Sequence, residues 1–321
     1  MKSPNKLLFM LLMVTSTCMV ASSSNWLMTW MGLEINMLGY IPLMFMKENT
    51  SESEAAVKYL VPQSLGSTIF IASAIISAYF NSLQTLTLIA LCLKLGVAPF
   101  HFWFPPVMAS LQLLPAFILL TWQKIAPILA ISSFSSLLVK TLMPIAMISA
   151  LWGGIGGLNQ TDIRSLLTYS SIGHTGWMLA SINSNYIILT AYLTAYILIN
   201  SSIFTFLIKE HTKSYKQLFS SSESQKIFIL AVSILSLGGL PPLVGFVMKL
   251  LVLMFTEAKM IIIFGLIGGA LISLFYYLSL TFSTLLSFNK THLTKTQMVS
   301  KQTILFLLSQ ILPLTLILFL F

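Results

Sequence analysis

The side chains able to do chemistry in this 321-residue chain are few, and they sit where charge is least welcome. Glu34, Lys94, Lys124 and Lys249 each fall inside a long apolar run. His174 falls inside another, with Ser170 and Ser171 one turn before it and Thr175 beside it. A charge at the centre of a bilayer costs about 3 kcal/mol even on lenient insertion scales, so such a residue is by default a functional-site hypothesis. Glu34 and Lys124 fall near the middle of their runs, where snorkelling to either surface is hardest. The chemistry these residue types offer is proton transfer. One acid cannot pair with three lysines, burial disfavours the charged form of a lysine, and histidine exchanges its proton near neutrality unaided. The competing reading is structural, with buried ion pairs fixing helix register. For His174 the two readings stand about level, because a lone buried histidine is often only hydrogen-bonded.

One of these residues lies in a stretch that departs twice from a membrane helix. Leu93-Lys94-Leu95-Gly96-Val97-Ala98-Pro99-Phe100-His101-Phe102-Trp103 places a lysine, a Gly/Pro pair and a histidine close together. Interrupted backbone at membrane depth is tolerated only where protein or a wet cavity covers it. The first seven residues match Leu235-Ser236-Leu237-Gly238-Gly239-Leu240-Pro241 as L-x-L-G-x-x-P. Interrupted helices at matching places in inverted halves point to a transport site.

The elements that must position these groups follow from composition. The chain is 57% hydrophobic and 8% charged, with a mean hydropathy of +0.91. A soluble domain has roughly 25% charged residues, so the expected class is an all-α polytopic membrane protein. A span needs about 20 residues to cross the hydrocarbon. Cutting at charges and turn residues gives eleven spans: 4–22, 26–46, 57–79, 83–104, 112–134, 141–158, 162–183, 186–208, 227–255, 260–288 and 302–321. The two breaks fall in spans 4 and 9, which would run in opposite directions. Together the spans form a single transmembrane domain over residues 1–321.

The charges test that count. Loops on the N-terminal side hold Lys2, Lys6, Lys47, Lys58, Arg164, Lys209, Lys213, Lys216, Lys226, Lys290, Lys295 and Lys301, and the opposite loops hold only Lys140 and Lys259. By the positive-inside rule the N-terminus faces the cytoplasm or the mitochondrial matrix, and the odd count sends the C-terminus to the other side. The sequons at Asn49, Asn159 and Asn289 then fall on the inner side, where glycosylation is not expected.

Other features are assigned to the housing. Met1 to Ser24 reads as an uncleaved first helix rather than a signal peptide, because the next span starts at once at Trp26. Cys18 and Cys92 lie in apolar runs without a C-x-x-C, and there is no G-x-G-x-x-G or P-loop. The expectation is that this chain binds no redox cofactor, nucleotide or metal. Gly153-Gly154-Ile155-Gly156-Gly157 suits close helix packing. The net charge of +9 orients helices here and implies no nucleic acid. His101 reads as an interfacial residue. Lys58, following Glu52 and Glu54 at a helix start, reads as a solvated or lipid-facing end. The 209–226 loop reads as a solvated connection, with anionic lipid such as cardiolipin as a second partner class. Trp26, Trp30, Trp103 and Trp122 read as interface anchors or packing.

Several segments together resemble a known family. They are Trp30-Met31-Gly32-Leu33-Glu34-Ile35-Asn36, Glu54-Ala55-Ala56-Val57-Lys58-Tyr59-Leu60, the Leu93–Trp103 stretch, Leu120-Thr121-Trp122-Gln123-Lys124-Ile125-Ala126-Pro127, Ser170-Ser171-Ile172-Gly173-His174-Thr175-Gly176-Trp177 and Gly238-Gly239-Leu240-Pro241-Pro242-Leu243-Val244-Gly245-Phe246. In order, over roughly residues 26–250, they resemble the chain 2 family of mitochondrial NADH–ubiquinone oxidoreductase. These are antiporter-like membrane-arm subunits of respiratory complex I, similar to Mrp-type cation/proton antiporters. The resemblance implies a proton-translocating subunit with two inverted five-helix repeats, near 1–134 and 141–288. It implies discontinuous helices near 96–99 and 238–242, and a C-terminal helix at 302–321. It places Glu34 and Lys94 as an interacting pair, Lys124 as the central lysine, His174 as the bridge and Lys249 as the terminal lysine. FMN, iron–sulfur clusters and ubiquinone would be held elsewhere in the complex, and the partners would be other membrane-arm and accessory subunits. The location would be the mitochondrial inner membrane, with the N-terminus on the matrix side and the C-terminus on the intermembrane-space side. Where relatives often carry a proline just before the terminal lysine, this chain has Val247-Met248. A stand-alone Na⁺/H⁺ antiporter and a non-pumping scaffold are the alternatives.

Overall fold

A computed structural model describes residues 4–45, 49–77, 84–134, 136–210, 224–241 and 243–291. Among the described residues the regular elements are all helices, with no β-strand. The chain divides into two compact units, Met1–Ser149 and Ala150–Phe321.

In the first unit, α1 (Pro4–Ser22) and α2 (Trp26–Met44) pack closely. A Cβ on Gly32 would stand 2.6 Å from the Val20 side chain, and one on Gly39 would stand 3.1 Å from that of Met13. Small residues one heptad apart are what let two membrane helices approach. The third helix, α3 (Thr50–Ser77), buries a stripe of Glu52, Ala55, Ala56, Tyr59, Gln63, Gly66, Ser67, Phe70 and Ser73. That is helical spacing on one face. Val57, Leu60, Val61 and Leu65 face outward, as lipid-facing side chains do. The helix starts seven residues before the expected boundary at 57. Glu52, Glu54 and Lys58 end the apolar run but not the hydrogen-bond ladder, which needs no apolar side chains.

Expected span 4 is not one helix. α4 (Gln84–Leu95) stops at Gly96, whose φ is +67°, a conformation that glycine adopts without a Cβ penalty. The Gly96 N–H donates to the Leu93 carbonyl and the Val97 N–H to the Cys92 carbonyl, which is the Schellman pattern of a helix end. After a turn, α5 (Phe104–Ser110) follows. Expected span 5 is also jogged, into α6 (Leu113–Leu120) and α7 (Trp122–Ser132), with Thr121 between them. The Thr121 hydroxyl donates to the Phe117 carbonyl at 2.7 Å, a back-bond that bends helices.

α8 (Ser136–Gly157) leads into the second unit, which holds α9 (Ile163–Ile182), α10 (Tyr186–Glu210), α11 (Ser224–Gly238), α12 (Val244–Phe255) and α13 (Met260–Thr291). α9 is buried on nearly every face and is in contact with α10, α12 and α13. Expected span 9 is broken into α11 and α12. Gly239, at φ +82°, ends α11 with the same pattern, its N–H donating to the Ser236 carbonyl and that of Leu240 to the Leu235 carbonyl. The repeated motif therefore aligns one residue off. The left-handed positions are Gly96 and Gly239, whereas the sequence match pairs Gly96 with Gly238.

Among the described residues, four elements are long and apolar enough to cross a membrane by length and composition: Thr50–Ser77, Leu113–Ser132, Tyr186–Ile208 and Met260–Ser283. Gln84–Leu95, Phe228–Gly238 and Val244–Phe255 are apolar but shorter, as the pieces of interrupted helices must be. The expected helix at 302–321 and residues 211–223 of the 209–226 connection lie outside the described residues.

The glycine stretch on α8 does pack closely. A Cβ on Gly153 would lie 2.4 Å from the Gly173 nitrogen of α9. Gly153→Ala should therefore push α8 off α9 and destabilise the fold by about 1–3 kcal/mol, the cost of overpacking. Thermal unfolding of the assembled protein measures this, and an unchanged midpoint would remove the close-packing argument.

Candidate functional site

The break after Leu95 decides what surrounds Lys94. Its carbonyl loses its helical partner at the chain reversal, and that of Leu93 is left with the Gly96 N–H of the capping turn. The Gln63 side-chain amide donates to the Lys94 carbonyl at 3.0 Å, and the Trp103 indole N–H donates to that of Leu93 at 3.2 Å. The Lys94 ammonium points to α2, where its Nζ stands 3.3 Å from Oε1 of Glu34. The expected acid–lysine pair is formed. The Lys94 side chain is 2% exposed and that of Glu34 22%, so the pair is buried at its lysine end.

Lys124 follows the jog at Thr121 and is buried, with its Nζ 5.7 Å from the centroid of the Phe104 ring. That distance lies within cation–π range. Phe104 is the first residue after the turn that breaks span 4, so one interruption supplies both Trp103 and Phe104 to the site. Lys94 and Lys124 line a common cavity with Asn36, Tyr59, Gln63 and Gln123. It offers about 20 Å³ to a water-sized sphere, enough for about one water molecule. Gln123 links the polar wall: Tyr59 donates to its Oε1 at 3.4 Å, and its amide donates to Oδ1 of Asn36 at 3.3 Å.

In the second unit the Lys249 ammonium is held by backbone. Its Nζ donates to the carbonyls of Gly238 at 2.9 Å and Leu237 at 3.4 Å, the last two of α11. A cation at a helix C-terminus is favoured by the dipole as well as by the hydrogen bonds. The fold permits this because α12 turns back tightly on α11, with Gly245 pressed against the Ser236 carbonyl. α12 runs unbroken through Val247 and Met248.

His174 projects from α9 into the same region. Its Nδ1 lies 2.8 Å from the Tyr192 hydroxyl, and its ring centroid 5.2 Å from that of Tyr196. It lines two small cavities, each of about 10 Å³. One is shared with Lys249, Ser170, Tyr276 and Tyr277, and the other with Tyr192, Tyr196 and Leu237. His174 and Lys249 are thus brought to one cavity, as Lys94 and Lys124 are to another.

The family described as NADH:quinone oxidoreductase/Mrp antiporter, TM, matches residues 23–275. The chain belongs to that family. It is 39% identical over 302 residues to NADH-ubiquinone oxidoreductase chain 2 of Dasypus novemcinctus, covering 88% of this chain and 87% of the relative. The same-named protein of Nandinia binotata is 39% identical over 306 residues, covering 89% and 87%. The fold is that of a chain in respiratory complex I from Thermus thermophilus with bound aureothin, with a TM-score of 0.81 at 23% identity over 98% of this chain and 77% of that one. A chain of the Mrp complex from Dietzia sp. has the same fold, with a TM-score of 0.72 at 18% identity over 92% and 62%. Like its relatives in this NADH:quinone oxidoreductase/Mrp antiporter family, the chain is a multi-pass membrane protein.

Sequence reasoning missed several members of the site. Asn36, Tyr59, Gln63 and Gln123 form the polar wall of the first cavity, and Tyr192 and Tyr196 flank His174. Tyr59 and Gln63 are four apart on α3, as are Tyr192 and Tyr196 on α10, and polar pairs at one-turn spacing in an apolar helix were the available signal. His101, expected at the interface, is buried in the turn after α4, its ring stacked on Phe102. Lys58 and Glu54 are exposed and paired at 3.4 Å, matching their reading as a solvated end, but Glu52 beside them is buried.

Gly239 meets two constraints. It is left-handed, and a Cβ there would come 3.1 Å from Nζ of Lys249. A Cβ on Gly238 would meet only the Tyr277 side chain, at 3.4 Å. Gly239→Ala should cost about 1–3 kcal/mol of stability and displace Lys249, whereas Gly238→Ala should be much milder. Thermal unfolding of both variants measures the contrast, and equal effects would refute it.

Proposed function

We propose that the chain is the antiporter-like, proton-translocating subunit of a respiratory complex I, passing protons through the buried charges of its two units. It carries no redox centre, and its work is driven by quinone reduction elsewhere in the complex. The observation that carries the reading is the Glu34–Lys94 pair opening onto a cavity shared with Lys124. Two unit charges about 4 Å apart interact by about 4 kcal/mol at an effective dielectric near 20. That is enough to decide whether the lysine holds its proton. When Glu34 moves away or is neutralised, Lys94 can release a proton towards Lys124. From Lys124 the charge passes to His174 and then to Lys249, whose ammonium is held by α11 carbonyls until it discharges. In a coupled chain of this kind the sites titrate together rather than singly.

The finer architecture belongs to the same proposal. It comprises eleven transmembrane helices, two inverted five-helix repeats each holding one broken helix, and a terminal helix at 302–321. The positive-inside count supports a matrix-facing N-terminus in the mitochondrial inner membrane. The partners are the other membrane-arm and accessory subunits, with cardiolipin on the basic matrix-side loops. FMN, iron–sulfur clusters and ubiquinone reside in other chains. The alternative of a stand-alone Na⁺/H⁺ antiporter draws on the Mrp fold likeness. The 39% identity to chain 2 relatives across most of the chain favours the complex I reading.

Lys124→Ala is expected to assemble and to lower proton pumping by about 10²-fold, the usual worth of a positioned acid–base group. Pumping by the reconstituted complex at the wild-type rate and stoichiometry would eliminate the relay role. For the pair, Glu34→Gln alone leaves the buried Lys94 uncompensated and should cost about 3–5 kcal/mol. The double variant Glu34→Gln/Lys94→Met should regain stability without regaining pumping. Full recovery of pumping would make the pair purely structural.

A further inference from the structure

The mechanism above leaves unused a buried carboxyl that the sequence had filed with a solvated helix end. Glu52 and Glu54 stand two residues apart at the start of α3, yet their surroundings are opposite. The Glu54 side chain is 65% exposed and pairs with Lys58. Glu52 is 1% exposed, and its Oε1 accepts a hydrogen bond from the side-chain amide of Gln112. An acid placed only to complement the α3 dipole would do so from the surface; this one is enclosed.

Two placements tie Glu52 to the site. On α3 it shares the buried face of Tyr59 and Gln63, which line the cavity of Lys94 and Lys124. At 1.5 Å per residue, Tyr59 lies about 10 Å and Gln63 about 16 Å further along the helix axis. Its partner Gln112 is the residue that caps the start of α6, the element that continues through the jog at Thr121 to Gln123 and Lys124. Glu52 therefore stands in the first turn of a helix long and apolar enough to cross a membrane, held between two of the elements that line the cavity. Gln112 suits either protonation state of this carboxyl. Its N–H₂ donates to a carboxylate, and its carbonyl oxygen accepts from a carboxylic acid.

We infer that Glu52 is a further proton-binding site, on the approach from the start of α3 to the cavity shared by Lys94 and Lys124. A proton arriving at that end forms an O–H bond on the carboxylate. The same proton leaves the carboxylic acid towards the cavity, where an uncharged lysine amine accepts it, and Glu52 returns to the carboxylate. No electron moves and no co-reactant is needed beyond the proton itself. The inference rests on the relay reading of Lys94 and Lys124, so its test runs beside a variant of that relay.

The experiment compares Glu52→Gln, Glu52→Asp and Lys124→Ala in the reconstituted complex, measuring proton pumping against NADH oxidation with and without added formate. Formate is a small weak acid that can carry protons where a carboxyl has been removed. Glu52→Gln keeps the shape and can still hydrogen-bond to Gln112, and it should pump about tenfold more slowly, with formate restoring the rate. Glu52→Asp retains a carboxyl, so it should pump faster than Glu52→Gln and gain little from formate. Lys124→Ala should stay slow whatever the formate concentration. Wild-type pumping by Glu52→Gln, or a slow rate that formate does not lift, overturns the Glu52 site while leaving the relay reading intact. Should Glu52→Gln fail to assemble, Glu52→Asp decides: a slow rate unaffected by formate overturns the site. Undiminished pumping by Lys124→Ala would instead remove the relay on which the inference rests.

Discussion

A backbone carbonyl inside a bilayer has no water to turn to, and that obligation organises this protein. Each of the lysines buried among the described residues stands at a place where a helix has been interrupted. Lys94 lies two residues before the left-handed Gly96, Lys124 follows the jog at Thr121, and Lys249 lies on the helix that restarts after Gly239. An interruption frees carbonyls and makes room for side chains at a depth where a continuous helix would present neither. Charge at membrane depth is affordable here because the break has already brought polar groups together.

The two units meet the obligation differently. In the first, neutral donors, Gln63 and Trp103, take the freed carbonyls of α4, which leaves the Lys94 ammonium to find Glu34. In the second, the ammonium of Lys249 itself takes the carbonyls of α11. The consequence is electrostatic. Lys94 faces a side-chain carboxylate, whereas Lys249 faces backbone dipoles.

Packing supplies the remaining precision. α9 is buried on nearly every face because Gly153 of α8 lies against Gly173, so that His174 is enclosed from several sides. The enclosure sets its Nδ1 against the Tyr192 hydroxyl and orients the ring between two small cavities. Exposed apolar side chains on α3 and α13 face outward, where lipid or other subunits would cover them.

Much of this was determined by the sequence. Composition alone required a helical membrane protein, and the rarity of charge singled out Glu34, Lys94, Lys124, His174 and Lys249 before any fold was known. The Gly/Pro pairs marked two breaks, because glycine at positive φ leaves a local signature. Tertiary structure alone decided the rest. The jog at Thr121 has no Gly or Pro at its centre, being made by a hydroxyl returning to a carbonyl. The one-residue offset between Gly96 and Gly239 is invisible to a motif match, since Gly238 and Gly239 look equivalent in the sequence. Above all, burial of Glu52 and exposure of Glu54 cannot be read from an acidic pair at a helix start. Which of two acids two residues apart faces inward depends on where the neighbouring helices lie, and only packing sets that.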